Sequence, residues 1–105
     1  MHIHTVFFWL KEGANSEDRK TFENGLSDLS GDPNVLGKHI GKPAQTDRQV
    51  IDSSYDYGIS FTFSDTVSHN LYQVGEAHLG FLDKCEKMWR KVQVFDLEDI
   101  SVSDQ

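Results

Sequence analysis

The sequence predicts an α+β fold of the ferredoxin-like kind, a β-α-β-β-α-β split βαβ chain with its helices on one face of an antiparallel sheet. Three observations predict it. Segments rich in β-branched and aromatic residues stand at both ends of the chain and twice in its middle. Two helical stripes lie between them, one after the first strand and one before the last. Capping residues stand where each helix should begin. No repeat, linker or low-complexity run divides the chain, so residues 1–105 read as one domain.

Residues 2–11 (HIHTVFFWLK) form the first expected strand. Ile3, Thr5, Phe7 and Trp9 alternate with His4, Val6, Phe8 and Leu10, so both faces are apolar and the strand belongs at a centre or under a partner. After the short connection Glu12, Gly13, Ala14, either Asn15 or Ser16 can cap a helix. Glu17 and Asp18 suit its positive end, and Phe22, Leu26 and Leu29 share its apolar face. Gly31, Asp32, Pro33 and Asn34 stop it. Residues 35–42 read as a short strand weakened by Gly37 and Gly41, and 43–54 as a polar loop. Residues 55–63 (YDYGISFTF) set Tyr55, Tyr57, Ile59, Phe61 and Phe63 on one face. Asp65 can cap a second helical region, where His78, Phe81, Leu82, Cys85 and Trp89 recur at helical spacing. Residues 92–98 (VQVFDLE) close the chain as the last strand.

Composition narrows the function. A formal net charge of −7 argues against nucleic acid and against an anionic membrane surface, both of which need clustered Lys and Arg. Apolar residues at 37% and charged residues at 26% give a globular balance. Cys85, the single cysteine, allows no internal disulfide and reads as a small core residue. Residues 6–10 are too short for a signal core, and no run approaches the roughly 20 apolar residues of a spanning helix, so a soluble, cytoplasmic protein is expected. An open sheet face bearing Phe7 and Trp9 is a patch that a monomer rarely exposes, so a homodimer packed sheet to sheet is expected.

The segments HTVFFWLKEG, SYDYGISFTF, YQVGEAHLGFL and WRKVQVFDLE, in this order and over nearly the whole chain, resemble the stress-responsive A/B barrel family. The resemblance implies a ferredoxin-like fold and a dimer whose two sheets make a barrel. The family is functionally mixed, and one characterised member is a polyketide cyclase that closes a linear polyketide by aldol condensation without a cofactor. Its catalytic tyrosine and histidine match Tyr72 and His78, its first-strand histidine matches His4, and its apolar lining matches Val6, Phe22, Ile59, Phe81, Val92 and Val94. Tyr57 replaces a second pocket histidine, and Gly75 and Glu76 replace a His-Pro pair, which changes the polar lining and the loop beside it.

Tyr72 and His78 are six residues apart, about 600° of rotation in one helix, so they converge only if the chain breaks between them. Gly75 and Glu76 mark that break, since glycine allows backbone angles that other residues avoid. The expected pocket between sheet and helices then adds Phe8, Leu26 and Leu82 to the lining. His78 would act as base, Tyr72 as hydrogen-bond donor, and His4 or Tyr57 would position a small apolar or aromatic ligand. The plainer reading is that His78 fills a helix stripe and Tyr72 merely buries its ring. His2 and His4 share a strand face, and with His78 nearby three imidazoles would suit zinc. With His2 terminal and no further ligand motif, neither a metal nor another cofactor is expected. A cavity of roughly 300 Å³ or more with both His78 and Tyr72 pointing in would mark a binding protein, and a filled interior a non-catalytic stress or structural dimer. A third reading, a cofactor-independent monooxygenase, would show as oxygen uptake.

Overall fold

The structure, a computed structural model, describes residues 1–102. Four strands, β1 (His2–Leu10), β2 (Gly37–Gly41), β3 (Tyr57–Phe63) and β4 (Trp89–Glu98), form one antiparallel sheet in the order β2-β3-β1-β4. Helices α1 (Ser16–Leu29), α2 (Thr66–Gln73) and α3 (Glu76–Cys85) cover one face, and a single 3₁₀ turn, Glu86–Met88, leads into β4. This is the ferredoxin-like arrangement that the alternation predicted. Among the described residues no helix is long and apolar enough to cross a membrane.

Register fixes which residues meet. In β1, His2, His4, Val6 and Phe8 face the helices. His4 stands between Phe61 of β3 and Asp96 of β4, Val6 between Ile59 and Val94, and Phe8 between Tyr57 and Val92. The core lies over these positions: Phe22, Leu26 and Leu29 of α1 and Phe81 and Cys85 of α3 are almost wholly buried against them. Helix α1 begins where a capping box closes it. Asn15 Oδ1 accepts from the Asp18 amide at 2.8 Å, and Asp18 Oδ2 accepts from the Asn15 amide at 3.1 Å. Asp65 caps α2 by accepting from the Ser68 amide at 2.8 Å.

Four expectations need correction. Tyr55 does not share the face of Tyr57: β3 starts at Tyr57, and Tyr55 turns to the other side to pack on Phe7 and Trp9. The turn is held by Asp56, whose amide donates to Phe8 O and whose Oδ2 accepts from the Leu10 amide. Trp9 is not left open on the sheet: its indole N–H donates to Ser54 Oγ at 3.0 Å, Lys91 Nζ lies 4.4 Å from its ring centre, and it is 6% exposed. The exposed aromatic and aliphatic surface of that face is Phe95 and Leu97 of β4, at 54% and 55%. Trp89 is not part of the helix stripe but opens β4, and β2 is the shorter run Gly37–Gly41.

Helices α1 and α3 approach each other at Gly25, where an added Cβ would lie 2.6 Å from Cys85 Sγ. That contact is too short to persist, so the buried Cys85 side chain or one of the helices has to shift. Gly25→Ala should therefore cost about 1–3 kcal/mol in chemical denaturation. Adding Cys85→Ala should recover most of the loss; if the double variant is no more stable than Gly25→Ala, the close approach is not what Gly25 serves.

Candidate functional site

Helices α2 and α3 are two short helices rather than one because the chain breaks after Gln73. The Gly75 amide donates to Tyr72 O, and Gly75 O accepts from the Leu79 amide, which starts the new helix on a new axis. Gly75 holds an ordinary extended conformation, φ −77° and ψ 165°, so its freedom at unusual angles is not what the break uses. What it supplies is space. A Cβ there would lie 3.1 Å from Asp32 Oδ2 and 3.3 Å from Leu71 O. The buried Asp32 is itself fixed by accepting from the Asn34 amide and side-chain amide through Oδ1.

The break brings Tyr72 and His78 together, with ring centres 5.2 Å apart and planes at 75°. Both line a cavity of about 250 Å³ between the helices and the sheet. Of the residues expected around a ligand, His4, Val6, Phe8, Ile59, Phe81, Leu82, Val92 and Val94 line it as well. Phe22, Leu26 and Tyr57 do not. Phe22 and Leu26 are sealed in the core beneath α1, and the Tyr57 hydroxyl is turned away to donate to Glu23 Oε2 at 2.5 Å. Burial, and then that carboxylate, raise the Tyr57 pKa. The cavity gains Leu29, Gln73, Glu86 and Trp89, which were not foreseen.

Electrostatics set the protonation states. Desolvation, and then the charge of His4, lower the His78 pKa despite the opposing charge of Asp32, so His78 is a neutral base at neutral pH. Its Nδ1 is buried without a hydrogen-bond partner. Burial first and Asp32 second push the Tyr72 hydroxyl well above the usual phenol range, so it remains a proton donor. His4 is 5.8 Å from Tyr72, ring to ring, and its Nδ1 lies 2.6 Å from Asp96 Oδ1. Burial alone would raise the Asp96 carboxyl, but its polar contacts with His4 and then His2 prevail and hold it low.

Asp96 and His69 are further polar groups that sequence reasoning missed. Asp96 was visible in principle, because alternation puts it on the face of Val92 and Val94, an acid on an otherwise apolar stripe. His69 lies three residues before Tyr72 and so shares its helix face. The structure sets His69 Nε2 3.2 Å from His4 Nδ1, with the His69 ring stacked on His2 at 4.0 Å. His2 and His4 do gather imidazoles, but the third is His69; His78 stays on the cavity side beside Tyr72.

Comparison with known proteins agrees with the fold. The family model of the stress responsive A/B barrel domain matches residues 3–99. Among solved structures, one from Arabidopsis thaliana superposes with a TM-score of 0.81 at 22% identity, covering 98% of this chain and 99% of that one. An A/B barrel family protein of ferredoxin-like fold from Mesorhizobium loti gives 0.77 at 24% identity, covering 95% and 97%. A dimeric ferredoxin-like protein of unknown function from Thermobifida fusca gives 0.74 at 15% identity, covering 91% and 88%. No curated protein matches the chain.

A depressed histidine pKa means that the unfolded chain takes up the proton first. The stability His78 contributes is present above the ordinary pKa of about 6.5 and is lost as pH falls through its lower folded value. His78→Phe removes that linkage. In thermal melts from about pH 7.5 to about pH 5, the variant should lose less stability than wild type, so the difference between them shifts in its favour. A pH-independent difference would contradict the protonation state assigned to His78.

Proposed function

The chain belongs to the stress responsive A/B barrel family, and from that premise we propose that it binds a small apolar or aromatic carbonyl compound and abstracts a proton beside the carbonyl without a cofactor. The observation that carries this reading is the meeting of Tyr72 and His78, 5.2 Å apart, at an otherwise largely apolar cavity. A proton on carbon next to a carbonyl leaves readily only if a base takes it and a donor steadies the oxygen. Neutral His78 is the base. Tyr72, kept protonated by burial, is the donor to the forming enolate oxygen. His4, held through Nδ1 by Asp96, has only its other ring nitrogen left to position the ligand. The resulting carbon nucleophile is what an intramolecular ring closure needs. At about 250 Å³ the cavity lies below the roughly 300 Å³ where ligand sites commonly begin, which favours a ligand near the size of one substituted aromatic ring.

The protein works, in this reading, as a homodimer through the open sheet face. Phe95 and Leu97, more than half exposed beside the partly buried Ile3 and Phe7, supply the apolar surface that a second copy would cover. The solved dimeric ferredoxin-like proteins of similar shape support it.

Two outcomes follow. In D₂O, wild type should speed deuterium exchange at the α-carbon of a small aryl β-keto acid or ester. His78→Phe should lose nearly all of that rate, and Tyr72→Phe about 10²–10³-fold, the scale of one lost oxyanion donor. Exchange at the uncatalysed rate in wild type, with no thermal stabilisation by any phenolic, β-keto or fatty acid, would favour a purely structural domain. Light scattering should give a dimer for wild type and a monomer for Phe95→Asp; an unchanged dimer would move the interface elsewhere.

A further inference from the structure

At the far end of β1 from Leu10, three buried imidazoles and one carboxylate converge, and of them the cavity chemistry draws only on His4 and the Asp96 that holds it. His2 and His4 project from β1 toward the helices, Asp96 comes from β4 directly opposite His4, and His69 comes down from α2. One ligand atom from each lies within 4.8 Å of every other. His4 Nδ1 to Asp96 Oδ1 is 2.6 Å, His2 Nε2 to Asp96 Oδ1 is 3.0 Å, His69 Nε2 to His4 Nδ1 is 3.2 Å, and His69 Nε2 to Asp96 Oδ1 is 3.8 Å. Ligands about 2.0–2.2 Å from a tetrahedral metal sit roughly 3.3 Å apart, in the middle of this range.

Proton accounting points the same way. Thr66 Oγ1 donates to Glu98 Oε1 at 2.9 Å and therefore accepts from His2 Nδ1 at 3.2 Å. With its proton on Nδ1, His2 turns the lone pair of Nε2 toward the Asp96 carboxylate, a repulsive pairing unless a positive charge lies between them. That charge is either a second proton on the ring or a metal ion. The Thr66 contact is also the outer-shell hydrogen bond that orients a ligating histidine. Gln73, whose side-chain amide lies 3.0 Å from His69 Nε2, has to release that nitrogen when a metal takes its lone pair. Asp96 is 39% exposed, which leaves one side of the cluster open to solvent.

We propose that His2 Nε2, His4 Nδ1, His69 Nε2 and Asp96 Oδ1 bind one divalent transition metal of the zinc class. Three nitrogens and one oxygen favour zinc or cobalt over magnesium or calcium, which take oxygen ligands. The site ties β1, β4 and α2 together at the end of β4 away from Trp89, whose ring packs on Phe22 and Phe81. His4 is shared with the cavity through its other ring nitrogen, but Tyr72, His78, His69 and Asp96 each belong to one set only, so variants at those four tell the two readings apart.

The test uses tag-free, chelator-treated protein titrated with Co²⁺. Wild type should develop the visible bands of four-coordinate cobalt, saturate at one ion per chain, lose the bands to added Zn²⁺ and melt at a higher temperature with Zn²⁺ present. His69→Phe keeps a ring in the stack and removes the ligand. Asp96→Asn changes the half-exposed ligand and leaves the core intact, should the first variant fold poorly. Each should weaken binding at least as much as the roughly 10–100-fold caused by outer-shell losses. Wild type without saturable cobalt bands, or folded variants that bind as wild type does, would overturn the proposal and leave a protonated histidine as the positive charge.

Discussion

Strand β1 is hydrogen-bonded on both sides, to β3 and to β4, so its side chains can leave the sheet in only two directions. Both directions carry aromatic or aliphatic groups, and every other element answers to that. On one side Val6 and Phe8 draw down Phe22 of α1 and Phe81 of α3, rings that meet Phe8 edge-on at 5.2 and 5.8 Å. Burying each such side chain is worth about 1.5–3 kcal/mol, far more than any exposed ion pair contributes, so this packing and not surface charge sets where the helices lie. On the other side Phe7 packs on Tyr55 and meets Phe95 edge-on at 6.2 Å, and the apolar strip of β4 stays largely open.

The site depends on the same strand. Because β1 continues past the hydrophobic stretch to His4 and His2, the sheet floor changes from aliphatic to imidazole along its length. Helix α2 is short enough to cover that polar end, and α3, on its new axis, covers the aliphatic end. Tyr72 closes the first and His78 opens the second. A continuous helix over the same residues would have sent one of the two rings into solvent. Asp32 joins the pieces: it fills the space that Gly75 leaves and acts electrostatically on Tyr72 and His78 alike.

Much of this was legible beforehand, and the reasons differ by residue. The element order followed from alternation and caps, since Asn15 and Asp65 each stand where a helix must satisfy its first amides. The break between Tyr72 and His78 was legible as a condition, since the family resemblance brought the two residues together and the helical angle then required a break; the role of Gly75 was not, because it is needed for room beside Asp32, a contact between segments more than forty residues apart. Tyr55 deceived the alternation because Asp56, bonded to the backbone of β1, turns the chain just before the strand. Trp9 was expected bare because a polar loop gives no sign of which ring it will cover. His69 and Asp96 escaped notice for a related reason. Each is an ordinary polar residue on its own element, and only the register of β4 on β1 and the placement of α2 bring them to His2 and His4.

The claim on which the rest turns is that the chain breaks at Gly75 so that the rings of Tyr72 and His78 share one cavity wall. The most direct measurement is the nuclear Overhauser effect between the ring protons of these two residues, in a ¹³C-edited spectrum of the folded protein. The Phe81 and Trp89 rings, whose centres are 5.8 Å apart, serve as an internal reference. Cross-peaks between Tyr72 and His78 at least as strong as the reference are the predicted result. Their absence while the Phe81–Trp89 cross-peaks are present would contradict the account, because the two side chains would then point to different faces of an unbroken helix.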